Sequence, residues 1–116
     1  MQPTPPPRPT PPPLAVPKAP SFTSDPSSLI LPFPGGTAAF ACSSAGYPPP
    51  SVDWLHNGVP VTADTRVTVT MVGAESQLRV VNVVEADTGS YQCVANNSLG
   101  QISSQTASLT IASEFV

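Results

Sequence analysis

The chain has 116 residues, room for one domain, and only 9% of them are charged against a usual share of about 25%, with a net charge of −3. Between positions 20 and 112 the only basic residues are Arg66 and Arg79, which excludes the basic stripe that phosphates or an anionic membrane would need. The longest apolar stretches, such as Val80-Val81 and Val83-Val84, fall far short of the ~20 residues that cross a bilayer, so no direct membrane insertion is expected.

In chain order, residues 1–19 come first, and ten of the first twenty residues are proline. Each proline fixes φ near −65° and removes a backbone donor, so the segment is read as an extended polyproline II stalk or linker. Pro3 to Arg8 also fits the PxxPxR pattern gripped by SH3 domains, although a run this rich in proline yields such a match cheaply. Met1 is followed by glutamine and prolines, not by a basic segment and an apolar run, and reads as an added start residue.

From Pro20 onward, short apolar alternations are separated by Gly, Pro, Asn and Asp at intervals of about ten residues, the pattern of a sandwich or barrel. Ala38, Phe40 and Cys42 turn one way, as do Val52 and Trp54. Asn57-Gly58 supplies a tight hairpin turn. Val67 and Val69, Leu78 and Val80, then Tyr91, Cys93 and Ala95, and last Ala107, Leu109 and Ile111 continue the period of two. The folded unit is set at residues 20–112, all-β with seven or more strands. Residues 113–116 break the pattern and read as a cloning remnant.

Little in this unit points to chemistry. His56 is the only histidine and is read as a solvated hairpin residue beside Asn57-Gly58. Asp25, Asp53, Asp64, Glu75, Glu85 and Asp87 scatter over loops and outer faces, so no acid-base pair is expected and no enzyme. Gly35-Gly36 is an isolated pair at the start of a strand, not a phosphate loop. Cys42 and Cys93 with His56 fall short of the four ligands of a structural zinc, so no metal or other cofactor is expected and a small-molecule ligand is not anticipated.

Cys42, Trp54 twelve positions later, and Asp87-Thr88-Gly89-Ser90-Tyr91-Gln92-Cys93 resemble the D-x-G-x-Y-x-C signature of the immunoglobulin superfamily. Gly46-Tyr47-Pro48, Trp54-Leu55-His56-Asn57-Gly58 and Cys93-Val94-Ala95-Asn96-Asn97-Ser98-Leu99-Gly100 make the likeness one to its intermediate set. The resemblance implies a Greek-key β-sandwich of two antiparallel sheets with a Cys42–Cys93 disulfide, against which Trp54 packs. Reduced buried thiols are the alternative, since intracellular muscle-type relatives fold without the bridge. It further implies a core place for Leu78, a hydroxyl-to-backbone bond from Tyr91, a close turn at Gly89 and an ion pair between Arg66 and Asp87.

Asn96-Asn97-Ser98 is a glycosylation sequon, and the alternation that turns Cys93 and Ala95 inward turns Asn96 outward. Asn97 matches the family's structural asparagine. Leu55 and Val94, with Gln92 beside them, form a candidate contact face on neighbouring strands. By resemblance the chain is expected to be an extracellular protein-binding module of a cell-surface receptor or adhesion molecule, with a like domain among its candidate partners and receptor tyrosine kinase ectodomains among its candidate parents. A spacer domain of an intracellular filament protein is the alternative.

Overall fold

A computed structural model describes residues 2–7 and 16–112. Residues 2–7 carry neither helix nor strand and are exposed, whereas Arg8, needed for the PxxPxR reading, and the tail 113–116 lie outside the described residues. Ten strands follow: β1 Lys18–Ser24, β2 Leu29–Leu31, β3 Ala38–Tyr47, β4 Ser51–His56, β5 Val59–Pro60, β6 Val67–Val72, β7 Glu75–Val80, β8 Gly89–Asn97, β9 Gly100–Ser103 and β10 Ala107–Ile111. A single 3-10 turn among the described residues, Glu85–Asp87, precedes β8.

The strands form two sheets. One runs β1-β3-β7-β6 and the other β2-β10-β8-β4-β5, with β9 paired to the far end of β8. Every pairing is antiparallel except that of β2 with β10, the chain having crossed between sheets after β1. This is the Greek-key sandwich expected from the sequence. β1 opens at Lys18, ahead of the expected boundary at Pro20, because the Lys18 carbonyl is bound by the Asn97 side chain at 2.8 Å.

Burial follows the alternation. On β3, Ala38, Phe40, Cys42 and Ser44 are buried, and on β7 Ser76, Leu78 and Val80. Register places Val80 opposite Ala38 and Val67, and Leu78 opposite Phe40 and Val69, so these residues share the inner face. From the other sheet come Trp54, Tyr91, Cys93, Ala107 and Leu109. Val69 departs from expectation: it has inward parity but stays 39% exposed. β6 is the last strand of its sheet, with β7 alone beside it.

Asn57 and Gly58 take φ of 51° and 81°, which closes the expected two-residue hairpin between β4 and β5. Gly35 and Gly36 do something the sequence did not announce: they exchange backbone hydrogen bonds with Val83, at 2.7 and 3.0 Å. That clasp holds the β2–β3 connection to the segment after β7.

The lane beside β8 is interrupted at Ser104. Its hydroxyl accepts the Cys93 amide at 2.9 Å while its own amide donates to the Cys93 carbonyl at 2.8 Å. A side chain thus stands in for the missing ladder carbonyl, which lets β9 and β10 share that one lane. Ser104 is buried, and its hydroxyl hydrogen goes to the Gln105 carbonyl at 2.9 Å.

Candidate functional site

At the centre, Cys42 and Cys93 are joined across the two sheets, fully buried, with their Cα atoms 6.8 Å apart and a sequence separation of 51. Register adds a second tie beside the first. Cys42 lies opposite Ser76 on β7, and Cys93 lies opposite Trp54 on β4. The Trp54 indole N–H donates to the Ser76 hydroxyl at 2.9 Å, so the same two residue pairs are bridged once by sulfur and once by a buried hydrogen bond. An indole nitrogen in an apolar core would otherwise be an unpaired donor. Ser76 was not singled out from the sequence, yet a polar residue in phase with Leu78 and Val80 marks a position needing a partner.

At one end of the sandwich, four side chains meet around the 3-10 turn. The Tyr91 hydroxyl donates to the Asp87 carbonyl at 2.6 Å. The Asp87 carboxylate accepts from the Arg66 guanidinium and, at 2.8 Å, from the Val84 amide. Arg66 Nε reaches the Val81 carbonyl at 3.3 Å, and the Asp64 carboxylate accepts the Arg66 and Val67 amides at 2.7 and 2.9 Å. Burial of the phenol, reinforced by the Asp87 charge and partly offset by Arg66, pushes the Tyr91 pKa up to about 12.

His56 belongs to this corner and is not the solvated hairpin residue expected from the sequence. Its ring stacks on Tyr91 with centroids 4.5 Å apart and planes 10° from parallel. Nε2 lies 2.9 Å from the Thr88 carbonyl, a pure acceptor, so Nε2 carries the proton. The next residue, Asn57, accepts the Ser90 amide through Oδ1 at 2.9 Å. A Cβ on Gly89 would clash with that Oδ1, at a backbone φ of +132°. Gly89 is therefore required by the hairpin docking against it as well as by its own turn.

At the opposite end, the two asparagines of the sequon separate by role. Asn97 Nδ2 donates to the Lys18 and Pro48 carbonyls at 2.8 and 3.1 Å, and its Oδ1 accepts the Leu99 amide at 2.9 Å. One side chain ties the domain's first strand, the β3–β4 loop and the β8–β9 turn. Asn96 is exposed, its side chain making none of these contacts.

The candidate face of Leu55, Val94 and Gln92 is partly covered. Val94 is only 9% exposed and Leu55 is half-buried, because β4 and β9 flank β8 on both sides there. Gln92 is turned along the sheet to donate to the Ser104 carbonyl at 2.8 Å. Among the described residues no group of three His, Cys, Asp or Glu side chains gathers, and no helix is long and apolar enough to cross a membrane.

The geometry has its counterpart in known proteins. Drosophila melanogaster neuroglian is 38% identical over 86 residues, 72% of this chain and 6% of neuroglian. The human oxidoreductase-named protein PXDNL is 36% identical over 98 residues, 83% of this chain and 6% of its own length. Human Brother of CDO is 38% identical over 81 residues, 70% of this chain and 7% of that protein. The chain thus spans well under a tenth of the length of these curated relatives. Among solved structures, the complex of titin M10 with the obscurin-like 1 Ig domain aligns with a TM-score of 0.79 at 28% identity, over 85% of this chain and 99% of that one. The family model described as "Immunoglobulin I-set domain" matches residues 20–111, and with the bridged cysteines, the Trp54 tie and the Tyr91 corner in place the chain belongs to the immunoglobulin I-set.

Proposed function

We propose that this domain is an extracellular protein-recognition module of a cell-surface receptor or adhesion molecule, carried on the proline-rich stalk of residues 1–19. The observation that carries the reading is the Cys42–Cys93 bridge, since disulfides persist in oxidising compartments and are rare in the cytosol. Relatives of the adhesion class, neuroglian among them, point the same way. The exposed sequon residue Asn96, in this reading, carries a glycan.

The mechanism is rigid display. A core tied twice across its sheets, with corners fastened at Tyr91 and Asn97, presents a surface that loses little conformational entropy on binding. Members of this fold bind proteins, as the titin–obscurin-like complex illustrates. Mass spectrometry of protein from a secreting host, before and after reduction and with and without glycosidase, tests the proposal. The expected result is a two-proton mass gain on reduction and loss of a glycan at Asn96. Free thiols together with an unmodified Asn96 would overturn it.

A second reading is favoured by one specific observation, the titin likeness: a spacer domain within an intracellular filament protein. It predicts the opposite outcome of that experiment. In such a spacer the thiols are reduced in the cell and Asn96 is bare.

A further inference from the structure

An asparagine side-chain amide can be attacked by the backbone nitrogen of the next residue, and glycine hinders that attack least because it has no side chain. Asn57 is the only asparagine of the chain followed by glycine. Asn82 precedes the β-branched Val83, whose amide is held by the Gly36 carbonyl at 3.0 Å, and both ends of the Asn97 amide are engaged. Asn57 and Gly58 are both exposed. Nothing stands within 4 Å of the place a Cβ on Gly58 would take, so water and hydroxide have access to its nitrogen.

The folded corner opposes the attack. The Asn57 amide donates to the Ser90 carbonyl at 2.8 Å, and Oδ1 accepts the Ser90 amide at 2.9 Å with the Ser90 hydroxyl 3.4 Å away. A Cβ on Gly89 would overlap Oδ1, Nδ2 and Cγ of Asn57 together, so the side-chain amide is seated against that glycine. Positive φ at Asn57 and Gly58 sets the mirror-image hairpin turn. Ring closure needs Cγ to swing round to the Gly58 nitrogen and the Asn57 Cα–C bond to turn by roughly half a revolution from that conformation. Neither movement is open to a side chain docked on β8.

We propose that Asn57-Gly58 is a self-modification site, held unreactive by its docking on Gly89 and Ser90 and converted to isoaspartate when the β4–β5 hairpin lifts off. The Gly58 nitrogen gives up its proton to hydroxide and attacks Asn57 Cγ. The N–Cγ bond forms, the Cγ–Nδ2 bond breaks and nitrogen leaves as ammonia, which closes a five-membered succinimide. Water then opens the ring. Cleavage at the side-chain carbonyl gives aspartate, and cleavage at the backbone carbonyl gives isoaspartate, with the chain running through Cγ. No oxidant, reductant or enzyme is needed, so the proposal stands in either cellular setting.

The two products differ in what they do to the corner. An aspartate keeps an oxygen where Oδ1 accepts the Ser90 amide and docks again. Isoaspartate adds a methylene to the backbone of a two-residue turn, which breaks the pairing of His56 with Val59 and carries the carboxylate away from Ser90. Opening of the hairpin, otherwise reversible, then becomes permanent, and the ring of His56 loses its fixed place on Tyr91.

Incubation of the whole chain in mildly alkaline buffer, followed by peptide mass mapping that separates aspartate from isoaspartate, tests it. Asn57 in the folded parent should convert at least about tenfold more slowly than in the same chain unfolded by urea. Gly89→Ala, which displaces the hairpin, should raise the folded rate at least about threefold. Hydrogen exchange of the Ser90 amide in the parent gives a second measure that needs no variant, because that amide too is released only when Oδ1 leaves it. Asn57 should be protected from conversion at least as strongly as Ser90 is from exchange, and in the purified isoaspartate form Ser90 should exchange at least about tenfold faster than in the parent. A folded parent that converts as fast as the unfolded chain, a folded Gly89→Ala chain no faster than the parent, weaker protection at Asn57 than at Ser90, or an isoaspartate form that protects Ser90 as the parent does overturns the proposal.

Discussion

Replacing Asp87 by alanine removes two contacts at once, since Arg66 loses its partner and the Val84 amide its acceptor. Both lie at a partly buried corner, so a loss on the order of 2 kcal/mol is expected, read by chemical denaturation. Tyr91→Phe leaves the Asp87 carbonyl without its donor and costs about 1–2 kcal/mol by the same measurement. Tyr91 also predicts a pH dependence. Its folded pKa of about 12 stands above the ordinary tyrosine value of 10.0, so the folded state holds the proton more tightly than the unfolded chain. The stability so gained is complete below pH 10 and is lost as pH rises to about 12. Melts across that window should fall more steeply for the parent than for Tyr91→Phe, and equal slopes would remove Tyr91 from the account. The Tyr91 and Asp87 positions were legible from the D-x-G-x-Y-x-C spacing; the part taken by His56 was not, because only the folded corner brings its ring over Tyr91.

Strands and turns are held to one another by a few side chains far apart in sequence. Asn97 joins three connections at one end, and Asn97→Ala frees the Lys18 and Pro48 carbonyls together. The expected outcome is a loss of about 1–2 kcal/mol and faster hydrogen exchange in β1 than in β7. At the other end, Gly89→Ala drives a Cβ into the Asn57 side chain and forces a disfavoured backbone, with a cost of at least about 2 kcal/mol and displacement of the β4–β5 hairpin. Chemical-shift changes centred on Asn57 and Ser90 would mark that displacement. Most strands could be found from their period of two. The interruption at Ser104 could not, because a serine there looks like any loop residue until its hydroxyl is seen taking the Cys93 amide.

Across the whole domain, the bridge and the Trp54–Ser76 bond link the same two pairs of residues and so act on one opening motion. Reduction releases a loop closed over a separation of 51 residues, for which the chain-entropy argument gives about 4 kcal/mol. Denaturation with and without reductant should show that loss. Trp54→Phe should add to it by less than the sum of the separate effects, since each tie holds what the other has already closed. Full additivity would show that the two ties act independently.

Composition and the alternation of apolar residues were enough to set an all-β domain, and the spacing of Cys42, Trp54, Tyr91 and Cys93 was enough to identify its kind by resemblance to the family signature. The contact surfaces were another matter. Parity alone put Val94 on an outer face and Val69 on an inner one, and it was right about direction in both cases. Exposure depends on what lies alongside: β9 pairs with β8 beside the buried Val94, whereas β6 ends its sheet and leaves Val69 and Met71 exposed. Which faces remain open is fixed by the lengths and lateral neighbours of strands, and only the tertiary structure decides those.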